Sequence, residues 1–461
     1  MKHEQGGLGL ALAVVIGGVG IPAAARADGA FPDSNNVLVP PDRPKDIVLA
    51  TNFGLISTND AGATWEWSCE TALTAQGQAY QLGAPAVTLP RIVAASLWGV
   101  VRSDDASCTW QGASGEIDRA TAVTDVFVQS ANPMLVYALA VVADEEGGQR
   151  QMAFASSDGG ATFGPAIFNG PEDGGVLGVE SAASDPRTIY VSFFDAPQRP
   201  RLAVTHDAAA TWTTVDLEPT LGSSKVRIVA VDPNDANTIF LRASGAEGDR
   251  LVVSRDGGDT LTLPFRVNGA LTAFLRRKSG TILIGGVTSD SQNVGARSTD
   301  GGSTFIAWPG VPHLRALAER DGLLYAAADN FADRFALGVS SDETTWRPLL
   351  SYNDVTRVKA CVAAACLAEC RNRVDTAFWS ASVCDASDGG SARGADANDG
   401  NDSGAAAQGG ASLPSDELAA SCSLRSIVNG NGTRWSLLVT GIAANLFAMR
   451  WRRAAARRRT C

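Results

Sequence analysis

The sequence predicts an all-β fold, a seven-bladed β-propeller, and three observations carry that prediction. An eight-residue stretch, best formed as Ser298-Thr299-Asp300-Gly301-Gly302-Ser303-Thr304-Phe305, is written seven times. The aspartates of the copies, Asp60, Asp105, Asp158, Asp207, Asp256, Asp300 and Asp342, stand 42 to 53 residues apart. That interval holds four short strands and their turns, one blade per copy. A second mark recurs in phase: Asn132-Pro133, Asp185-Pro186 and Asp232-Pro233 each precede an apolar run. Proline fixes a turn there and cannot sit inside the central strand that follows.

Each copy reads as a tight turn between two strands. The aspartate accepts hydrogen bonds from the turn's own N–H groups. Glycine supplies a backbone angle that a residue with Cβ adopts only at a cost. The threonine hydroxyl closes the turn, and the aromatic residue opens the next strand. Departures are mild: Ser107 and Ala209 replace glycine, Phe163 and Phe305 replace tryptophan, Leu261 is merely apolar, and the last copy, Ser340–Trp346, is one residue short. The pattern resembles the Asp-box, or bacterial neuraminidase repeat, S-x-D-x-G-x-T-W. The resemblance implies that the seven aspartates are fold staples placed away from any catalytic face.

The strands fall in place around the boxes. Ile47–Thr51 and Gly54–Ser57 precede the first box, and Leu135–Val142 and Gln151–Ala155 the third. Thr188–Phe193 and Arg201–Val204 precede the fourth, and Thr238–Arg242 and Leu251–Val253 the fifth. The propeller is expected over residues 28–358, its ring closed by a strand near Val37–Val39 together with the other end, near Thr356–Ala360.

Outside the propeller the chain changes character. Lys2, the apolar run Leu8–Val19 and Ala25-Arg26-Ala27 read as a secretory signal over 1–27. Export places the cysteines in an oxidising compartment. Cys361, Cys366, Cys370 and Cys384 mark a small cap over 359–385, with Cys366 and Cys370 on one helical face. Two disulfides within this cap are expected; zinc is the rival, without a nearby histidine. Cys69 and Cys108, in neighbouring blades, are expected to form a third bridge. Residues 386–421 read as a disordered acidic linker. After Cys422 come the apolar run Trp435–Met449 and six arginines. That order resembles the myxobacterial-type C-terminal sorting signal, which implies that Cys422 is a processing or lipid-attachment site and that 422–461 anchors the protein to the membrane.

Acidic residues outnumber basic ones, 49 to 38, which excludes a nucleic-acid partner of the usual basic kind. The mature chain keeps only His206 and His313, too few for a histidine metal site or a Ser-His-Asp triad. No metal or other cofactor is called for. Asp-box propellers include sialidases and other secreted glycosidases, so a glycoside hydrolase is the enzymatic alternative. An Arg-Ile-Pro-type motif is absent where Pro41-Asp42-Arg43-Pro44 stands. Of the tyrosines, Tyr80, Tyr137, Tyr190, Tyr325 and Tyr352, the middle three look like strand core. A glycosidase using paired carboxylates stays open. The expectation is an exported, surface-anchored propeller that binds extracellular glycans or surface proteins without catalysis. Ala143–Arg150, Asp195–Pro200 and Ser289–Val294 are its candidate binding loops.

Overall fold

The computed structural model describes residues 32–73, 77–84, 91–96, 99–143, 148–385 and 421–423. Seven antiparallel sheets follow the chain, each with its strands hydrogen-bonded in sequence order. Blade 1 comprises Ser34–Leu38, Ile47–Thr51, Gly54–Thr58 and Glu66–Ser68. Blade 2 comprises Gly77–Leu82, Ile92–Ser96, Gly99–Ser103 and Gln111–Gly112. Blade 3 takes Ala120–Val128, Val136–Ala143, Gln149–Ser156 and Phe168–Asn169. Blade 4 takes Gly175–Ser181, Ile189–Asp195, Arg199–Thr205 and Thr213–Asp216. Blade 5 follows with Lys225–Val231, Ile239–Gly245, Gly248–Ser254 and Thr262–Val267. Blade 6 is Gly269–Arg276, Ile282–Thr288, Asn293–Ser298 and Ile306–Ala307. Blade 7 is Leu314–Arg320, Leu323–Ala328, Leu337–Ser340 and Arg347–Leu350.

Second strands such as Ile47–Thr51 and Ile92–Ser96 are buried along their whole length. A strand covered on both faces needs an unbroken apolar run, and these have one. The core therefore lies between blades: Phe240 and Leu251 of blade 5 pack on Phe274, Ile282 and Ile284 of blade 6. First strands of most adjacent blades lie side by side, and Leu314–Arg320 of blade 7 lies against Ser34–Leu38 of blade 1.

That last contact closes the ring, and one side chain clasps it. Arg320, 5% exposed, donates from Nη1 to the carbonyls of Pro40, Arg43 and Asp46 and from Nη2 to that of Pro44. A guanidinium is suited to this because its N–H groups form a fixed planar fork. Both expected closure segments enter blade 1. Ser34–Leu38 is its inner strand, and Arg357–Val358 runs parallel to Glu66–Ser68 on its outer edge.

The cysteine pairing differs from expectation. Cys69 bonds to Cys366 and Cys108 to Cys361, so Cys69 and Cys108 do not pair with each other. Within the cap only Cys370–Cys384 is a bridge. The reason is packing. The helix Ala363–Asp375 lies on the propeller, with Cys366, Cys370, Trp379 and Val383 in one apolar cluster with Phe53, Trp67 and Tyr352. Cys366 and Cys370 do share the buried face of that helix. Arg373 on the same helix sits over the rings of Phe53, at 4.5 Å, and Trp67, at 5.3 Å.

Near the other end of the chain, Ser421–Ser423 pairs antiparallel with Gly269–Arg276 of blade 6, Cys422 opposite Phe274. The signal segment 1–27, the linker over 386–420 and the apolar run Trp435–Met449 lie outside the described residues. No helix among the described residues is long and apolar enough to cross a membrane.

Candidate functional site

The two faces of the ring are built from different connections. Turns joining third to fourth strands carry the seven repeated stretches. They open on the same face as the turns joining first to second strands, and the two are bonded together. Ala61 N–H donates to Lys45 O at 2.9 Å, Gly159 to Met134 at 2.8 Å, and Ala208 to Arg187 at 3.0 Å. The opposite face carries the second-to-third hairpins and the links between blades. Asp195–Pro200 and Ser289–Val294 are such hairpins, as is Ala143–Arg150, of which 144–147 lie outside the described residues.

The repeated aspartates are fully engaged in their own turns. Asp158 Oδ1 accepts from the N–H groups of Ala161 at 3.0 Å and Thr162 at 2.8 Å and from the Ser156 hydroxyl at 2.7 Å. Its Oδ2 accepts from the Thr162 hydroxyl at 2.6 Å. The Ser156 hydroxyl in turn accepts from Gly160 N–H at 3.0 Å. The two bonds from the threonine, N–H to Oδ1 and hydroxyl to Oδ2, recur at Asp60, Asp105, Asp207, Asp256 and Asp300. Two consecutive residues of the turn take positive φ, Gly159 at 73° and Gly160 at 84°. Where the sequence has Ala208 and Ala209, the strained angles of 58° and 72° persist, so the bond network outweighs the cost. In the shortened copy Asp342 still accepts from Thr344 and Thr345 N–H, at 2.9 and 2.7 Å, but only Glu343 has positive φ.

Electrostatics follow the bonding. Burial pushes the Asp158 carboxyl up, but the Thr162 and Ser156 donors outweigh it and hold it at about 2. Hydroxyl donors, Thr304 first, hold Asp300 well below the ordinary carboxylate range. A carboxylate so placed is a poor proton donor at neutral pH. His206 belongs to this face too, its Nδ1 3.0 Å from the Thr188 hydroxyl.

Chemistry gathers instead on the loop face, where blade 7 meets blade 1. Asp33 directly precedes the first strand of blade 1. Arg315 Nε donates to both its oxygens, at 3.0 and 2.9 Å, while Arg315 Nη2 donates to Asp329 Oδ2 at 2.9 Å. The other Asp329 oxygen caps the short helix Asn330–Asp333, accepting from Phe331 and Ala332 N–H. His313 donates its backbone N–H to Asp333 Oδ2 at 2.8 Å, and its Nδ1 lies 2.9 Å from Asp333 Oδ1. Phe331 rises from this cluster with 48% of its surface exposed, edge-on to buried Tyr352, whose hydroxyl lies 2.9 Å from Ser34 Oγ. Burial pushes the Asp33 carboxyl up against the opposing pull of Arg315. Burial likewise raises the Tyr352 phenol well above its ordinary value.

All five tyrosines are buried, Tyr137, Tyr190 and Tyr325 among them in strand cores as expected. Sequence reasoning singled out His313 and Tyr352 but missed Asp33, Arg315, Asp329 and Phe331. The available signal was Phe331 itself, a lone aromatic inside the polar run Asp329-Asn330-Phe331-Ala332-Asp333-Arg334.

No protein-family model and no curated protein matches this chain. Solved structures do. A puromycin-hydrolyzing peptidase of Mycobacterium tuberculosis superposes with TM-score 0.50 at 9% identity, over 72% of this chain and 55% of that one. An ancestral GH74 enzyme aligns with TM-score 0.49 at 11% identity, over 70% of this chain and 47% of that one. YCF48 from Cyanidioschyzon merolae aligns with TM-score 0.44 at 11% identity, over 64% of this chain and 92% of that one. The chain thus spans about half the length of the first two. At these identities the likeness is one of fold, and the fold is the β-propeller.

Proposed function

We propose that this is an exported propeller of the Asp-box type, held at the cell surface by its tail, whose loop face binds glycans without catalysis. One observation carries the binding reading: Phe331 stands half-exposed among Asp329, Asp333, His313 and Arg315 on the loop face. An aromatic face stacks on the C–H side of a sugar ring, and neighbouring carboxylates and imidazole accept or donate to its hydroxyls. The repeated aspartates support it by exclusion, since each is spent on its own turn. Three disulfides support export. The tail's order of linker, cysteine, apolar run and arginines supports anchoring.

A second reading, glycoside hydrolysis, is favoured by one observation. Burial raises the Asp33 carboxyl, and Arg315 bonds both Asp33 and Asp329, so two carboxyls gather at one arginine; acid–base cleavage of a glycoside uses a pair of carboxyls. A glycan panel offered to the full-length protein, scored both for retention and for released reducing ends, tests the two readings. Retention without release is expected. Release of reducing ends would make hydrolysis the function, and neither would remove both.

A further inference from the structure

A recess lies on the loop face, away from the Phe331 cluster, and its lining has a distinct chemistry. It is a cleft of about 290 Å³ between the link from blade 4 to blade 5 and the second-to-third hairpin of blade 5. Leu221, Ser223 and Ser224 form one side, Gly245 to Gly248 the other, with Arg250 and Arg266 at the base and rim. Gly248 permits the narrow wall: its φ is 95°, and a Cβ there would stand 2.2 Å from Val267 O.

Positive charge dominates this cleft in an otherwise acidic protein. Arg250 Nη2 donates to Leu221 O at 2.8 Å and to Ser224 Oγ at 2.7 Å, which fixes the guanidinium in the cleft. Asp249 is turned away, its Oδ2 2.6 Å from Arg242 Nε and accepting from Leu271 N–H at 2.8 Å. The one carboxylate lining the cleft is Glu247, 3.5 Å from Arg266, and both side chains are more than two-thirds exposed, at 86% and 68%. An exposed pair at that distance contributes little and gives way readily to a better anion.

We propose that this cleft binds the acidic group, carboxylate or sulfate, of a glycan, with Arg266 as the recruiting cation and Glu247 as the resident competitor. The glycan part rests on the function proposed above; the anion part rests on this cleft alone. The cleft is at the small end of ligand pockets, room for one sugar unit. Its lining offers the Ser223 hydroxyl and only Leu221 and Ala246 as apolar side chains, which suits a hydrophilic anion, while the Ser224 hydroxyl is spent between Leu221 O and Arg250.

The test is calorimetric titration of the full-length protein with a sulfated, uronate-containing disaccharide at low salt, beside its neutral counterpart. Arg266→Gln is expected to weaken binding of the acidic disaccharide about tenfold, and Glu247→Gln to tighten it about threefold. Phe331→Ala is expected to leave these two differences in place, so failure at Phe331 and failure at this cleft are separate results. Both cleft variants change exposed side chains, and unchanged melting confirms folding. Equal affinity in wild type and Arg266→Gln overturns the proposal. So does loss of affinity in Glu247→Gln, or equal binding of the neutral disaccharide.

Discussion

The backbone N–H of Gly257 donates to the carbonyl of Asn237 at 2.9 Å. Gly257 belongs to the repeated stretch of blade 5, and Asn237 to the turn that Asp232-Pro233 begins. The two marks that recur in phase along the sequence are therefore two halves of one structural unit. The proline-containing turn presents a carbonyl, and the left-handed turn residue presents the N–H that meets it. In blades 1, 3 and 4 the same bond forms, from Ala61, Gly159 and Ala208. A turn held both by its own aspartate and by its neighbour is a fixed corner of the blade.

Replacing Asp158 by alanine should therefore cost about 1 kcal/mol, since its donors lose their partner while remaining partly open to water. The sign with pH follows from the depressed folded value. A carboxyl near 2 when folded and near 3.9 when unfolded stabilises above pH ~4 and loses that contribution as pH falls toward 2. Thermal melting of the wild type should be flat from pH 7 to about pH 5 and fall below about pH 4. Asp158→Asn should shrink that fall. A variant with unchanged melting and lost activity would instead make the aspartate catalytic.

Ring closure should depend on Arg320. Removing it leaves four carbonyls of the Pro40–Asp46 turn without their donor, in a site where the arginine was 5% exposed. Arg320→Ala is expected to cost about 3 kcal/mol in denaturant unfolding. Arg320→Lys should recover only part, because a point-like ammonium cannot serve carbonyls arranged around a planar fork. Full stability in the lysine variant would show that charge alone holds the junction.

Much of the fold was legible because a propeller writes its turns in sequence. Asp, Gly and Thr recur where local hydrogen bonding demands them, so the turn signal needs no knowledge of distant contacts. The pairing of Cys69 with Cys366 was not legible, since it spans 297 residues and depends on where the cap helix docks. Nor was the cluster at Phe331. Asp33 and Arg315 are 282 residues apart and meet only because the last blade closes on the first. No spacing rule links residues brought together by ring closure.

The disulfides make a matching prediction about stability. Cys69–Cys366 and Cys108–Cys361 tie the cap to blades 1 and 2 across separations of 297 and 253 residues. Long closed loops gain most from cross-linking, so losing either bridge should cost about 2–4 kcal/mol. Non-reducing peptide mapping should recover these two pairs and Cys370–Cys384. A Cys69–Cys108 peptide would mean that the cap docks elsewhere.

The loop-face cluster separates binding from hydrolysis through two variants. Phe331→Ala removes an exposed ring and leaves the Arg315 bonds to Asp33 and Asp329 intact, so it should leave folding unchanged. If the face binds sugars by stacking, this variant should lose about 1–2 kcal/mol of affinity for the glycan that the wild type retains, roughly tenfold in Kd. Asp33→Asn keeps the size of the side chain but removes both its charge and its proton. In a binding protein it should change affinity modestly, through Arg315. In a hydrolase that uses Asp33 as its acid, turnover should fall by 100-fold or more, following the usual worth of general acid catalysis. The pH profile of that turnover would also lose the limb set by the raised Asp33 carboxyl. Retention that depends on Phe331 but not on Asp33, with no product released at any pH, is the outcome expected of a binding propeller.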